Sequence, residues 1–123
     1  MDNKEFGKQL EKRTLAFSLM ILKLSGKLPD LQESRVIRNQ ISKSGTSVGA
    51  NYREANRSRS KADFKNKIRI SEGEASETIY WLLIIKGMNW VKIEEIEPIE
   101  KECGELLAIF TSISQNLNRK KAL

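Results

Sequence analysis

Three glutamates are the residues of this chain best placed to do chemistry. Glu74 and Glu77 share one face of an expected helix, and Glu54 can face them from another. Carboxylates on facing helices can hold two metal ions, but such sites take their nitrogen ligands from Glu-x-x-His pairs. The chain contains no histidine. The same gap removes the commonest general base and the catalytic triads built around imidazole. The acids are therefore expected to be structural. Glu54, Glu74 and Glu77 are predicted to pair with Arg13, Arg35 or Arg38, alongside Gln40 and Asn51, in a buried polar network that fixes register. No catalytic residue, metal or cofactor is expected, and hence no enzyme. The single Cys103 excludes an internal disulfide and fits a reducing cytoplasm; placed on an apolar seam, it reads as an inert core thiol.

A second candidate is the run QISKSGTSVGAN (40–51), whose glycines and hydroxyls suggest a phosphate-cradling loop. A P-loop needs Gly-x-x-x-x-Gly-Lys-Ser/Thr after a strand, so that backbone amides and the lysine converge on phosphate. Gly45 and Gly49 are four residues apart, no lysine follows Gly49, and no strand pattern precedes them. Read as helix, the two glycines stack one turn apart on one face. Each mid-helix glycine costs about 1 kcal/mol relative to alanine, so a compensating close contact is expected, with small residues letting another helix or subunit approach backbone to backbone.

The elements that must position these residues are helices. Apolar residues spaced three and four apart mark one helical face. Leu10, Thr14, Phe17, Ile21, Leu24 and Leu28 form a first seam, closed by Pro29. The second runs Ile37, Ile41, Ser44, Val48, Tyr52, Ala55, and the third Phe64, Ile68, Ser71, Ala75, Thr78, Leu82, Ile85. The fourth is Ile96, Ile99, Cys103, Leu106, Phe110, Ile113, Leu117. Pro98 limits where the fourth helix can begin, since proline is tolerated in a first turn or at a kink. The expected fold is all-α: a single domain over residues 1–123, with helices at about 4–27, 33–57, 61–87 and 94–119. Short connections make it an up-down-up-down antiparallel four-helix bundle. The longest apolar run, LAFSLMIL (15–22), is too short to span a bilayer, so a cytoplasmic protein with no membrane partner is expected.

Two helices are more apolar than one seam requires. Leu15, Leu19 and Leu22 add a second stripe to the first helix, and Ile70, Trp81 and Ile84 add one to the third. Either the core face is wide or these stripes are subunit interfaces, and the second is preferred because large apolar patches rarely stay in water. Together with Gly45 and Gly49 they form the expected close-packing and oligomer contacts. Tyr80 and Trp81 could stack on bases, but inside IYWLLII they read as core or interface.

The basic residues carry the functional signal. Net charge is +6, and residues 1–71 hold 16 basic against 7 acidic side chains. In an alternating bundle, one pole collects the start of the first helix, the second-to-third turn and the end of the fourth. There stand Lys4, Lys8, Lys12, Arg13, Arg53, Arg57, Arg59, Lys61, Lys65, Arg119, Lys120 and Lys121, against Asp2, Glu5, Glu11, Glu54 and Asp63. Lysines at a helix N-terminus oppose the helix dipole, so Lys4 and Lys8 are not explained by helix stability. Such a pole suits a phosphate backbone, read by charge and shape rather than by base edges.

Three stretches, QISKSGTSVGANYREA (40–55), SKADFKNKI (60–68) and EASETIYWL (74–82), together resemble the bacterial bundle proteins encoded in intervening sequences of 23S ribosomal RNA genes. One departure is Gly73, which with Glu74 stands where that family usually carries a Lys-Glu pair before the alanine. The resemblance implies a four-helix bundle assembling as a homopentamer with a central channel. More distantly, the chain is similar to the pentameric accessory protein of diversity-generating retroelements, which implies RNA or DNA as a partner. An oligomeric RNA- or DNA-binding bundle is thus expected. The alternative is a scaffold whose basic pole meets an acidic or nucleic-acid-associated protein.

Overall fold

The computed structural model describes residues 3–122, with side chains described as far as Arg119. It is an all-α four-helix bundle: α1 Asn3–Ser25, α2 Gln32–Ala55, α3 Lys61–Gly87 and α4 Ile93–Ala122. There is no strand among the described residues. Each helix touches its neighbours in the chain, and the thinner α1–α4 contact closes the bundle.

The helix ends follow local chemistry. Ser60 caps α3, its hydroxyl accepting the Asp63 amide at 3.0 Å, which satisfies a donor that the helix itself leaves open. Leu31 precedes α2 and cannot cap with its side chain. Ser34 serves instead, accepting the Leu31 amide at 3.1 Å and donating to carbonyls of Pro29 and Leu31. The last carbonyls around the end of α1 are taken by a residue of α2: Arg38 donates to Ser25 O at 3.0 Å and Leu28 O at 2.9 Å. Asn89, just past α3, adopts φ 56°, the left-handed conformation in which asparagine commonly ends a helix. Pro98 stands inside α4 rather than in its first turn, so the Glu94 carbonyl loses its usual intrahelical donor.

The four seams become the core. Phe17, Ile21, Ile41, Val48, Ile68, Ala75, Leu82, Ile85, Ile96, Cys103, Leu106 and Phe110 are fully buried, and Tyr52 meets Phe110 edge-on with ring centroids 5.6 Å apart. A polar thread runs through this apolar filling. Ser44 on α2 and Thr78 on α3 bring their hydroxyls to 2.7 Å. Thr78 donates to its own helix at Glu74 O, 2.8 Å away, so Ser44 is the donor of the pair. Ser71 donates to Val48 O at 2.9 Å, and the Cys103 thiol to Ala75 O at 3.3 Å. Each of these crossings uses a small side chain, and two of them end on a backbone carbonyl, so three helices share hydrogen bonds inside a core.

Between α1 and α2 the device is absence of a side chain. A Cβ on Gly45 would lie 2.7 Å from Ile21 Cγ2 and 3.0 Å from Ile21 Cβ. At Gly49 it would lie 3.0 Å from Thr14 Cβ and 3.3 Å from the Thr14 carbonyl carbon. The glycine pair therefore packs against α1 of its own chain. Gly73, in the middle of α3, faces open space with nothing within 4 Å.

That contrast sets a paired test. Gly45→Ala gains up to ~1 kcal/mol of helix propensity but overpacks against Ile21, at a cost of about 1–3 kcal/mol, so the midpoint of urea unfolding should fall. Gly73→Ala meets no neighbour and should raise it, by about 0.5–1 kcal/mol. Equal shifts in the two variants would contradict the packing role of Gly45.

Candidate nucleic-acid interface

The basic end is assembled from three chain segments. Asn56, just after α2, donates to Glu11 of α1 at 2.9 Å, which fixes the start of α1 beside the α2–α3 turn. Leu117, near the end of α4, lines a cavity of about 820 Å³ together with Ala55, Asn56 and residues of the turn and of early α3. On this end Lys4, Lys8, Lys12, Arg53, Arg57, Arg59, Lys61 and Arg119 are exposed, while Lys65 is half-buried. Lys120 and Lys121 have side chains outside the described residues. A second hollow, of about 510 Å³, lies between Glu54, Arg57, Arg59, Asp63 and Lys67. Lys67 reaches Glu54 at 3.0 Å, and this carboxylate holds the Lys67 ammonium above its ordinary range.

One expected member of this end is committed elsewhere. Arg13 grips Glu102 of α4 with two parallel bonds, Nε–Oε2 at 2.8 Å and Nη2–Oε1 at 2.7 Å, and reaches Glu105 at 3.0 Å. The hydrogen bond to Glu102 raises its pKa above the usual guanidinium value, and its charge is balanced by α4 rather than offered to solvent.

The predicted buried network of Arg13, Gln40, Asn51, Glu54, Glu74 and Glu77 does not form. Gln40, Glu54 and Glu77 are exposed, and Asn51 donates to Ser47 O on its own helix at 2.9 Å. Arg35 pairs with Asp30 at 2.8 Å, and Arg38 holds the end of α1. Glu74 is half-buried beside Glu77, and burial, reinforced by that like charge, pushes its pKa up. Polar contacts between helices include instead Arg13 with Glu102 and Glu105, Glu72 with Thr111 at 2.7 Å and Ser114 at 3.3 Å, and the hydroxyl pair in the core. Their signal was position rather than type: Arg13, Glu72, Glu102, Glu105 and Thr111 all flank seam residues, and flanks of adjacent seams meet.

The two expected apolar stripes part company. Leu15, Leu19 and Leu22 stay 55, 49 and 45% exposed. Ile70, Trp81 and Ile84 are half-buried, and Trp81 packs on the core with its indole nitrogen enclosed. A wide core face thus accounts for Trp81 and not for the leucines of α1. Tyr80 is exposed and stands edge-on to Trp81, centroids 5.3 Å apart. Cys103 is buried, and desolvation pushes its thiol pKa up to about 12. Among the described residues no group of acids and thiols converges on a metal-sized site, and no helix is long and apolar enough to cross a membrane.

Glu74 supplies a pH test. Because its folded pKa is raised, the unfolded chain releases this proton first as pH climbs, and the fold loses stability through that window. Glu74→Gln should therefore raise the melting temperature at pH 7 and change little at about pH 3.5, below the ordinary carboxylate range. A gain of the same size at both pH values would show that the charge is not the cause.

Comparison with known proteins closes on a single family. The chain is similar to a crystal structure from Bacteroides thetaiotaomicron VPI-5482, described as a protein with unknown function from the S23 ribosomal protein family. The two share 38% identity over 85% of this chain and 96% of that one, with a TM-score of 0.78. A search of curated proteins found no match. The family description "23S rRNA-intervening sequence protein" matches residues 8–112, a span that contains all three stretches on which the resemblance rested. By that match and that neighbour, the chain belongs to the 23S rRNA-intervening sequence protein family.

Proposed function

We propose that this protein is a non-enzymatic, up-down-up-down bundle that assembles into a ring-shaped homopentamer in the cytoplasm and binds structured RNA or DNA by charge. The contact register supports the topology. Gly45 and Gly49 meet Ile21 and Thr14; Ser44 and Val48 meet Thr78 and Ser71; Lys86 and Glu72 meet Glu100 and Thr111. In each pair of helices, numbers rise along one as they fall along the other. The exposed leucine stripe of α1 supports assembly, since its three side chains form an uncovered apolar row of the kind that marks an interface.

The observation that carries the nucleic-acid reading is the gathering of Lys4, Lys8, Lys12, Arg53, Arg57, Arg59 and Lys61, all exposed, at the end where α1 starts and α2 turns into α3. Against them stand the described carboxylates Glu5, Glu11, Glu54 and Asp63, of which Glu54 is already held by Lys67. Repeated around a ring, the pole would present a band of positive charge to phosphates. Two reactive groups that would otherwise suggest catalysis are spoken for: the Cys103 thiol is kept protonated by burial, and Arg13 is closed into a carboxylate clamp.

Gel shifts of a structured RNA across a salt series test the reading. The wild type should lose affinity steeply as salt rises. An Arg53→Glu, Arg57→Glu, Arg59→Glu, Lys61→Glu variant should bind at least about 100-fold more weakly and flatten the log–log salt slope by about 3–4. Equal weak binding by both would overturn it, and capture of an acidic protein that survives nuclease would favour the scaffold. For assembly, Leu15→Glu with Leu19→Glu touches only exposed positions. Light scattering should move from a pentamer to a monomer with the melt little changed; a wild type already monomeric at micromolar concentration would refute the ring.

A further inference from the structure

The larger cavity at the basic end has two kinds of wall. Its better-covered floor is apolar, made by Ala55, Phe64 and Leu117 with exposed Ala62 beside them; its rim carries Arg59, Lys61 and Lys65. No carboxylate is among its described lining residues. The floor has a clear origin. Phe64 opens the apolar seam of α3 and Leu117 ends that of α4, so at this end the core runs out before it is covered, and both side chains stay half-buried. The rim has a different origin, since Arg59 and Lys61 flank the capping residue Ser60 and project from the turn.

An occupant of this cavity must satisfy both walls. Inorganic phosphate would answer the cations and leave the floor against water. A neutral apolar molecule would do the reverse. A regular duplex presents phosphates, but its bases are stacked inside and cannot reach a recess. What matches is a flat, weakly polar ring carrying an anionic group at one side. A volume of about 820 Å³ lies within the usual range for small-ligand sites.

Resting on the reading of this end as a nucleic-acid surface, we infer that the cavity is a pocket for an unpaired nucleotide, its base against Phe64, Ala62 and Leu117 and its phosphate on Arg59, Lys61 and Lys65. The protein then distinguishes RNA or DNA with looped-out or terminal single-stranded bases from plain duplex. Stacking of a base on an aromatic ring is tolerant of base identity, so this selectivity is for unpaired structure and not for sequence.

The test uses the full chain and two kinds of probe. In heteronuclear NMR, adenosine 5′-monophosphate should shift the Ala62, Phe64 and Leu117 signals in a saturable way, whereas ribose 5-phosphate and inorganic phosphate should shift the rim alone. Shifts of the floor no larger with the nucleotide than with phosphate would overturn the pocket. In gel shifts, a hairpin with an unpaired loop should bind about tenfold more tightly than a blunt duplex of the same stem. Phe64→Leu removes the aromatic face, keeps an apolar side chain and alters no charge. It should abolish that preference, and a preference that persists would overturn the pocket. The two readings fail separately. Nucleotide shifts in the floor with no duplex binding would sustain the pocket and remove the charge-driven duplex mode. Duplex binding with no floor shifts would remove the pocket alone.

Discussion

The bundle depends on how closely α1 and α2 approach each other. With glycine at 45 and 49, α2 lies near enough to α1 that a methyl group at either position would strike Ile21 or Thr14. Each glycine weakens its helix by roughly 1 kcal/mol, and packing contact along two turns offsets that loss. The near approach has a geometric result. Ile21 and Thr14 are both fully covered although they sit on a helix whose other contact, with α4, is thin. The α2 seam then adds hydroxyl contacts to α3 at Ser44, Ser71 and Thr78 beside the apolar packing of Ile41, Val48 and Tyr52 in the core.

Polar bonds add specificity on top of this packing. The Ser44–Thr78 pair and the Ser71–Val48 bond lie about one turn apart along α2, so sliding α3 by one turn would break both bonds across the α2–α3 contact, at roughly 0.5–1.5 kcal/mol each. The α1–α4 side is held differently. There the clamp of Arg13 on Glu102 and the pair of Lys27 with Glu95 at 2.7 Å span a half-exposed seam, where ion pairs are weak individually and screened by salt. The molecule thus has a rigid three-helix side built on small residues and a fourth contact closed by charge.

How much of this could be read beforehand follows from the same physics. A helix presents one face every three to four residues, so buried positions such as Phe17, Val48, Leu82 and Phe110 stand out in the chain as periodic apolar letters. The small run at 42–50 was readable as helix because the seam passes through Ser44 and Val48 without changing phase. Charged partners have no such period. Arg13 had acids on three other helices within plausible reach, and choosing Glu102 requires knowing the rotation of α4 about its own axis. The recess at the basic end was hidden for a related reason. Phe64 and Leu117 look like ordinary seam members, and only the assembled bundle reveals that the described residues leave both partly open beside the α2–α3 turn.

Cys103 carries a practical consequence. The chain has one cysteine, buried, hydrogen-bonded to Ala75 O and with its thiol held in the protonated form. Reaction with alkylating or disulfide-forming reagents requires a thiolate that solvent can reach, and this sulfur offers neither. The native fold therefore shields its one cysteine: a thiol engineered onto an exposed position would take a fluorophore or spin label alone, with no need to remove the resident one, so distances within the bundle can be measured on an otherwise unaltered chain.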